Sequence, residues 1–176
     1  AASTSPATGA NGIPMAVSAL SHAEFLEKFG PVYEASPWVA EGVWPAVEDG
    51  RLDDPEALAA AMRAEVDGAP VEMRLTLIQA HPQLAGRTRM ADASVREQSA
   101  AGLDQCSREE FEAFQRLNAA YKDRFGFPFI IAVKGLTRSD ILAAFQARLA
   151  NDPHTEFETA ITQIHRIAAF RLADLT

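Results

Sequence analysis

The stretch SREEFEAFQRLNAAYKDRFG, residues 107–126, decides the fold class because it carries every signal of an amphipathic helix. Ser107 and Glu110 have the spacing of a capping box, and Gly126 is placed to cap the other end. Apolar side chains recur every three or four positions between these caps, as they do on a helix with one buried face. These side chains are Phe111, Phe114, Leu117, Tyr121 and Phe125. The sequence therefore predicts a helix with an aromatic face turned toward a core.

The segments on both sides repeat such start and stop signals. Ser36 is predicted to cap a helix with Pro37 at its first position, and the pair Asp54–Pro55 repeats this arrangement. Pro128 excludes a helix interior, so FPFIIAV is the one short extended segment, near residues 127–133. The other predicted helices cover 21–30, 36–47, 54–68, 71–80, 94–102, 137–151 and 153–175. The predicted fold is all-α, a single-domain compact bundle of about eight helices.

Composition and charge exclude several classes of protein. The chain has 176 residues, of which 48% are hydrophobic and 23% charged, as in ordinary globular domains. A net charge of −8 without a block of Lys and Arg argues against nucleic acid or an anionic membrane as partner. No apolar run is long enough to span a membrane. The lone Cys106 favours a reducing compartment, so we expect a cytoplasmic protein. We expect a flexible tail over residues 1–17 and the helical domain over residues 18–176.

His81 ends a predicted helix and is followed by Pro82. A residue before proline is pushed out of the α region, so Pro82 fixes the direction in which His81 leaves the helix. The helix C-terminus favours a protonated imidazole and burial opposes it, which suits a group that titrates near neutral pH. The alternative is a histidine that only caps the last carbonyls of its helix. Metal binding is less favoured, because no other histidine forms a helical pair with His81.

Two further positions allow both a structural and a functional interpretation. Ser94 and Glu97 have capping-box spacing, yet with Gln98 they could also offer hydrogen bonds to a small polar ligand at a helix N-terminus. Arg171 falls inside the apolar stripe of the last helix, so its guanidinium needs a buried partner. That partner is either an internal carboxylate or a bound carboxylate or carbonyl, unless the side chain snorkels outward.

The extended segment is equally open to two interpretations. Its backbone groups are not committed to a helix and could bind a flat, amide-rich ligand. Alternatively, it is a short apolar stretch that crosses the core, which its composition favours.

Four segments together resemble the decarboxylases of 2-oxo-4-hydroxy-4-carboxy-5-ureidoimidazoline (OHCU). They are HPQLAGR (81–87), SVREQSAAGLD (94–104), FQRLNAAYKDRFGFPFIIAV (114–133) and QIHRIAAFRL (163–172). The resemblance covers roughly residues 18–175 in matching order. Members of that family convert OHCU to (S)-allantoin and CO2 in urate degradation. The resemblance implies a helical homodimer that acts on this small molecule without a cofactor or metal, and without nucleic acid or membrane as partner.

The resemblance also implies roles for particular residues. His81 would be the catalytic acid–base residue, with Glu97 as the second catalytic residue. The implied substrate-binding residues are Pro82, Ser94, Val95, Arg96, Glu97, Gln98, Phe129, Ile130, Ile131, Ala132, Val133 and Arg171. The chain departs from many members at Gln83, where they have Asp, so a carboxylate near His81 is lost. The main alternative is a non-catalytic helical binding module, and a second is a metal-dependent hydrolase.

Overall fold

A computed structural model of the chain describes residues 16–85 and 92–176. The eight α-helices in this part are α1 (His22–Phe29), α2 (Trp38–Glu48), α3 (Pro55–Asp67), α4 (Val71–Ala80), α5 (Asp92–Ala100), α6 (Arg108–Phe125), α7 (Arg138–Arg148) and α8 (Pro153–Leu175). Short 3₁₀ turns precede α1, follow α1 and follow α5. The described residues contain no β-strand. The prediction of an all-α bundle is therefore confirmed, whereas most of the predicted tail lies outside the described residues.

Helix α8 organises the bundle. It packs against α1, α3, α4 and α6, and against the 3₁₀ turn Gly30–Val32. Its predicted apolar stripe is buried at Ile161, Ile164, Ala168 and Leu172, within a continuous hydrophobic core. None of the helices in the described part of the chain is long and apolar enough to cross a membrane.

Several helix starts follow the predicted capping chemistry. Both Ser21 with Glu24 and Ser107 with Glu110 form reciprocal capping boxes. Asp54 accepts a hydrogen bond from the backbone of Glu56 at the start of α3. Such caps satisfy amide groups that have no partner within the helix, so they fix where each helix begins.

Two predicted serine caps are wrong, and both serines contact Glu34 instead. Helix α2 begins at Trp38 without a side-chain cap, and the Ser36 hydroxyl donates to the Glu34 carbonyl at 2.9 Å. Helix α5 begins at Asp92, so Ser94 lies inside the helix and its hydroxyl donates to the Glu34 carboxylate at 3.1 Å. A capping box between Ser94 and Glu97 is therefore excluded.

The extended segment 127–133 crosses the core, as its composition indicates. Phe129 and Ile130 are buried, and the Phe129 ring stacks on Phe145 with 3.9 Å between centroids. The Ile130 carbonyl accepts from Arg148 Nη1 at 2.5 Å. The Ala132 amide donates to Oε1 of a glutamine on α8 at 3.0 Å. Helices α7 and α8 therefore hold this irregular backbone in place through side chains.

Candidate active site

His81 follows the last residue of α4, and its backbone is extended, with φ −73° and ψ 140°. Its Nδ1 lies 2.9 Å from the Leu77 carbonyl oxygen. Because a carbonyl can only accept, Nδ1 carries a proton and Nε2 of the neutral ring keeps its lone pair. Burial lowers the pKa of His81 to about 4, although the bond to Leu77 and the charge of Glu34 oppose this and Arg171 adds to it. His81 is therefore a neutral base at neutral pH.

The loop after His81 is held by side-chain amides. Gln98 spans it, because its Nε2 donates to the Gln83 carbonyl at 3.4 Å and its Oε1 accepts from the Ala85 amide at 3.0 Å. Asn118 Nδ2 donates to the Leu84 carbonyl at 3.0 Å. Ala85 has a positive φ of 54°, an unfavourable conformation that these bonds help to maintain. Gln98 therefore fixes the loop that carries His81.

Arg171 faces inward, as its place in the apolar stripe predicts, and only 8% of it is exposed. Its Nε and Nη2 donate to the two carboxylate oxygens of Glu97, at 2.7 and 3.2 Å. Its Nη1 lies 2.9 Å from Glu34 Oε2, and Nη2 donates to Ser94 Oγ at 3.2 Å. Burial disfavours the charged guanidinium, but the bonds and charges of Glu97 and Glu34 outweigh this and raise the pKa of Arg171. In this structure the partner of Arg171 is an internal carboxylate pair.

Glu34 is the member of this cluster that the sequence analysis missed. It follows the 3₁₀ turn Gly30–Val32 and is only 6% exposed. A polar residue between two predicted helices has no periodic pattern that would mark it as buried. The sequence did carry one indirect signal, because an inward-facing Arg171 requires a buried acceptor.

Two adjacent hollows share the Arg171–Glu97 ion pair in their walls. The inner cavity, beside His81, has a volume of about 30 Å³, close to the volume occupied by one water molecule. The outer cleft has a volume of about 740 Å³, within the usual range for small-molecule sites. Glu97, Val133, Ile167 and Arg171 line both. The ion pair therefore lies between the cleft and His81.

The structure brings most of the predicted site residues together. The outer cleft receives Arg96 and Ala132, whereas the Val95 side chain is 45% exposed and lines neither hollow. The Gln83 side chain lines a separate surface hollow, so it does not replace a carboxylate in the inner cavity. The predicted residues that line the inner cavity are His81, Pro82, Ser94, Glu97, Gln98, Phe129, Ile130, Ile131, Val133 and Arg171.

The arrangement can move a proton and hold an anion. The residues that line the inner cavity supply an imidazole, a guanidinium and the Glu97 carboxylate, which can accept N–H or O–H groups. The basic Lys28, Arg96 and Lys134 also line the outer cleft, together with the acidic Glu97 and Asp174. The described residues include no cluster of three or more His, Cys, Asp or Glu that could hold a metal ion.

Comparison with known proteins places this chain in a family. The OHCU decarboxylase family model matches residues 18–173. The chain is 44% identical over 158 residues to 2-oxo-4-hydroxy-4-carboxy-5-ureidoimidazoline decarboxylase of Haloferax volcanii, covering 90% of this chain and 92% of that protein.

Solved structures agree. An OHCU decarboxylase structure obtained in the presence of (S)-allantoin matches with a TM-score of 0.60 and 29% identity, over 69% of this chain and 80% of that one. A structure of (S)-allantoin synthase matches with a TM-score of 0.72 and 34% identity over 90% of this chain. This chain spans about half of that synthase, 52% of its length. The protein belongs to the OHCU decarboxylase family.

Proposed function

We propose that this protein converts OHCU to (S)-allantoin and CO2 in urate degradation. The observation that carries the proposal is that His81, Glu97 and Arg171 line one cavity within a fold of this family. A non-catalytic binding module has no need for a buried base beside a buried guanidinium, whereas a decarboxylase that must hold an anion and move a proton needs both.

The reaction makes limited demands on the protein. The bond between the ring carbon and the carboxylate breaks, and its electron pair passes into the adjacent C=N bond of the ring. The hydroxyl on that carbon then loses its proton and becomes a carbonyl, while the carbon of the former C=N bond gains a proton. Overall, the carboxylate leaves as CO2 and one proton from water is taken up. The protein has to orient the carboxylate, stabilise the charge that develops on the ring and deliver a proton to one ring face. Delivery to a single face makes the product one enantiomer.

The side chains suit distinct parts of this reaction. His81 Nε2, unprotonated in the free protein, accepts the proton of the substrate's ring hydroxyl and returns a proton to the neighbouring, ureido-bearing ring carbon. Arg171 pairs with the substrate carboxylate or carbonyl through the Nε–Nη2 edge that now holds Glu97. Glu97 binds N–H or hydroxyl groups of the substrate. The remaining walls of the inner cavity come from Pro82, Ser94, Gln98, Phe129, Ile130, Ile131 and Val133.

Substrate binding must separate Arg171 from Glu97. A cavity with the volume of about one water molecule cannot hold a ureidoimidazoline, and the ion pair lies between it and the outer cleft. Opening the pair joins the two hollows. It also frees a guanidinium edge and a carboxylate at the moment when the substrate can use both.

Cytoplasmic location and a homodimer form part of the same proposal. The unpaired thiol of Cys106 supports a reducing compartment, and the dimer is supported only by the family resemblance. The net charge of −8 favours a small molecule as partner over nucleic acid or an anionic membrane.

The test generates OHCU from urate with urate oxidase and HIU hydrolase, and follows circular dichroism as allantoin forms. We expect wild type to produce the (S)-allantoin signal rapidly, and His81→Asn to give none above the spontaneous background. His154→Asn is the matched control, because His154 is exposed at the start of α8. It should behave as wild type.

Two other outcomes are informative. If His81→Asn were as active as wild type, the reaction would stand and the assignment of His81 would be wrong. If wild type left only slowly formed, racemic allantoin, the decarboxylase proposal would fail and the binding-module alternative would be tested next.

A further inference from the structure

Glu34 is a buried carboxylate to which the proposed mechanism gives no role. Its Oε2 contacts both Arg171 Nη1, at 2.9 Å, and Ser94 Oγ, at 3.1 Å. It is thus joined to two residues of the inner cavity while it is absent from the cavity wall itself. A carboxylate removed from water is costly unless it is paired in this way.

Contacts on both sides of Glu34 fix its position, although the backbone beside it has an unfavourable conformation. The next residue, Ala35, has a positive φ of 47°, a conformation that costs about 1 kcal/mol or more for a residue with a side chain. The Ser36 hydroxyl closes the turn on the Glu34 carbonyl. On the other side, the Tyr33 hydroxyl lies 2.8 Å from Nδ1 of His165 on α8. The carboxylate is therefore fixed from both sides along the chain.

Glu34 and Glu97 hold different edges of the same guanidinium. Glu97 takes the bidentate edge formed by Nε and Nη2, whereas Glu34 takes Nη1. The carbonyls of Pro31 and Val32 also accept from Nη1, at 3.3 and 3.5 Å. If Glu97 leaves, the Nη1 side stays fully bound and the bidentate edge is exposed toward the cleft. That edge matches the geometry of a substrate carboxylate.

We propose that Glu34 is a positioning residue, which keeps Arg171 and Ser94 aimed into the site when Glu97 gives up its place to the substrate. This proposal rests on the decarboxylase function proposed above. Its charge also acts on His81, since Glu34 favours the protonated imidazole and Arg171 opposes it. Glu34 thus touches none of the reacting atoms but fixes the position of Arg171, and its charge partly offsets the effect of burial on the pKa of His81.

The test compares Glu34→Gln, Glu34→Asp and the control Glu48→Gln, in which the same change is made at an exposed position at the end of α2. The same dichroism assay measures kcat and KM, and thermal unfolding measures stability. Glu34→Gln keeps the shape and loses the charge, so Arg171 is held less firmly. We expect KM to rise about 10- to 100-fold with kcat changed by less than about threefold, as for loss of one charged hydrogen bond.

Glu34→Asp separates positioning from packing. It keeps the charge but is shorter by one methylene, so it leaves a small cavity while Arg171 retains a buried carboxylate partner. A positioning role predicts that KM rises in Glu34→Gln while kcat and the folded fraction at the assay temperature stay near those of wild type, and that Glu34→Asp restores most of the lost affinity. A purely structural role predicts that kcat falls in proportion to the unfolded fraction in each variant, with KM unchanged. That result, or a Glu34→Gln variant with the KM of wild type, would overturn the proposal. Failure of wild type itself to form (S)-allantoin would instead reject the function on which it rests.

Discussion

The protonation state of His81 decides how the proposed reaction begins. The imidazole donates from Nδ1 to Leu77, and burial lowers its pKa to about 4. A neutral base loses activity only as the pH falls through its own pKa, so the free protein should keep His81 in the active form well below pH 6.5. Because kcat/KM reports groups of the free protein, we expect kcat/KM to stay nearly constant from pH 8 to pH 5.

This profile can be measured with OHCU prepared beforehand and added to buffers of each pH, so that the generating enzymes do not limit the rate. His154→Asn should give the same profile as wild type. A loss of kcat/KM centred near pH 6.5 would show that the imidazole has an ordinary pKa. A rise in kcat/KM as the pH falls would show that His81 must first donate a proton.

At the scale of single residues, the sequence indicated the conformation or burial of key residues better than it indicated which residues they contact. The helical period alone placed Arg171 in the core, and Pro82 alone predicted the extended backbone of His81. The contact between Arg171 and Glu34 joins residues 137 positions apart, because α8 packs against the turn before α2. No local pattern contains such a contact. The prediction that Ser94 caps a helix failed for a related reason. Residues with capping-box spacing can also lie inside a helix that begins earlier, as α5 does.

At the scale of secondary-structure elements, the extended segment depends on one buried ion pair. Arg148 donates to the Ile130 carbonyl and, at 2.9 Å, to Glu156 on α8, which is completely buried. Glu156 also accepts from Tyr121 at 2.6 Å and from Asn151 at 2.9 Å. Because three donors share one carboxylate, removing its charge leaves buried donors unsatisfied.

Glu156→Gln should therefore lower the free energy of unfolding by about 3 kcal/mol. Equilibrium denaturation in urea measures this change. Glu158→Gln is the matched control, since Glu158 is exposed two positions after Glu156 on α8. It should change the free energy of unfolding by less than about 0.5 kcal/mol. A loss below about 1 kcal/mol for Glu156→Gln would mean that the amide replaces the carboxylate without leaving unpaired donors.

The elements differ in how far local chemistry determines them. Helices α1, α3 and α6 begin at side-chain caps that the sequence displays, so their starts were predictable. Pro128 likewise predicted where helix stops and extended chain begins. What holds the extended chain was not predictable, because its anchors Arg148 and Gln163 lie on other helices.

At the scale of the whole molecule, α8 joins the site to the structural network. Arg171, His165 and Glu156 lie on this helix, and each is buried. Arg171 and His165 bind the same turn, through Glu34 and the Tyr33 hydroxyl, whereas Glu156 supports the extended segment through Arg148. One helix thus aligns the turn that holds Arg171 with the segment that lines the cavity.

The two buried histidines also make the stability of the molecule depend on pH. Burial lowers the pKa values of both His81 and His165, in the latter case despite an opposing bond to Asp67. When the folded-state pKa of a base lies below the unfolded value, the unfolded chain binds more protons as the pH drops. Stability is therefore unaffected above the unfolded pKa and falls as the pH decreases below it, until the folded-state pKa is reached.

For His81 this window runs from 6.5 down to about 4, a shift that corresponds to roughly 3 kcal/mol. We expect His81→Asn to lack this loss. Between pH 7.5 and pH 4, measured in urea, its free energy of unfolding should therefore fall by less than that of wild type, with a difference of up to roughly 3 kcal/mol. The carboxylates of the capping boxes, whose pKa values are lowered, weaken both proteins equally in acid and cancel in the comparison. His154→Asn should run parallel to wild type. If His81→Asn ran parallel as well, the folded protein would accept a proton on His81 at no cost, and a neutral base in the resting site would no longer be tenable.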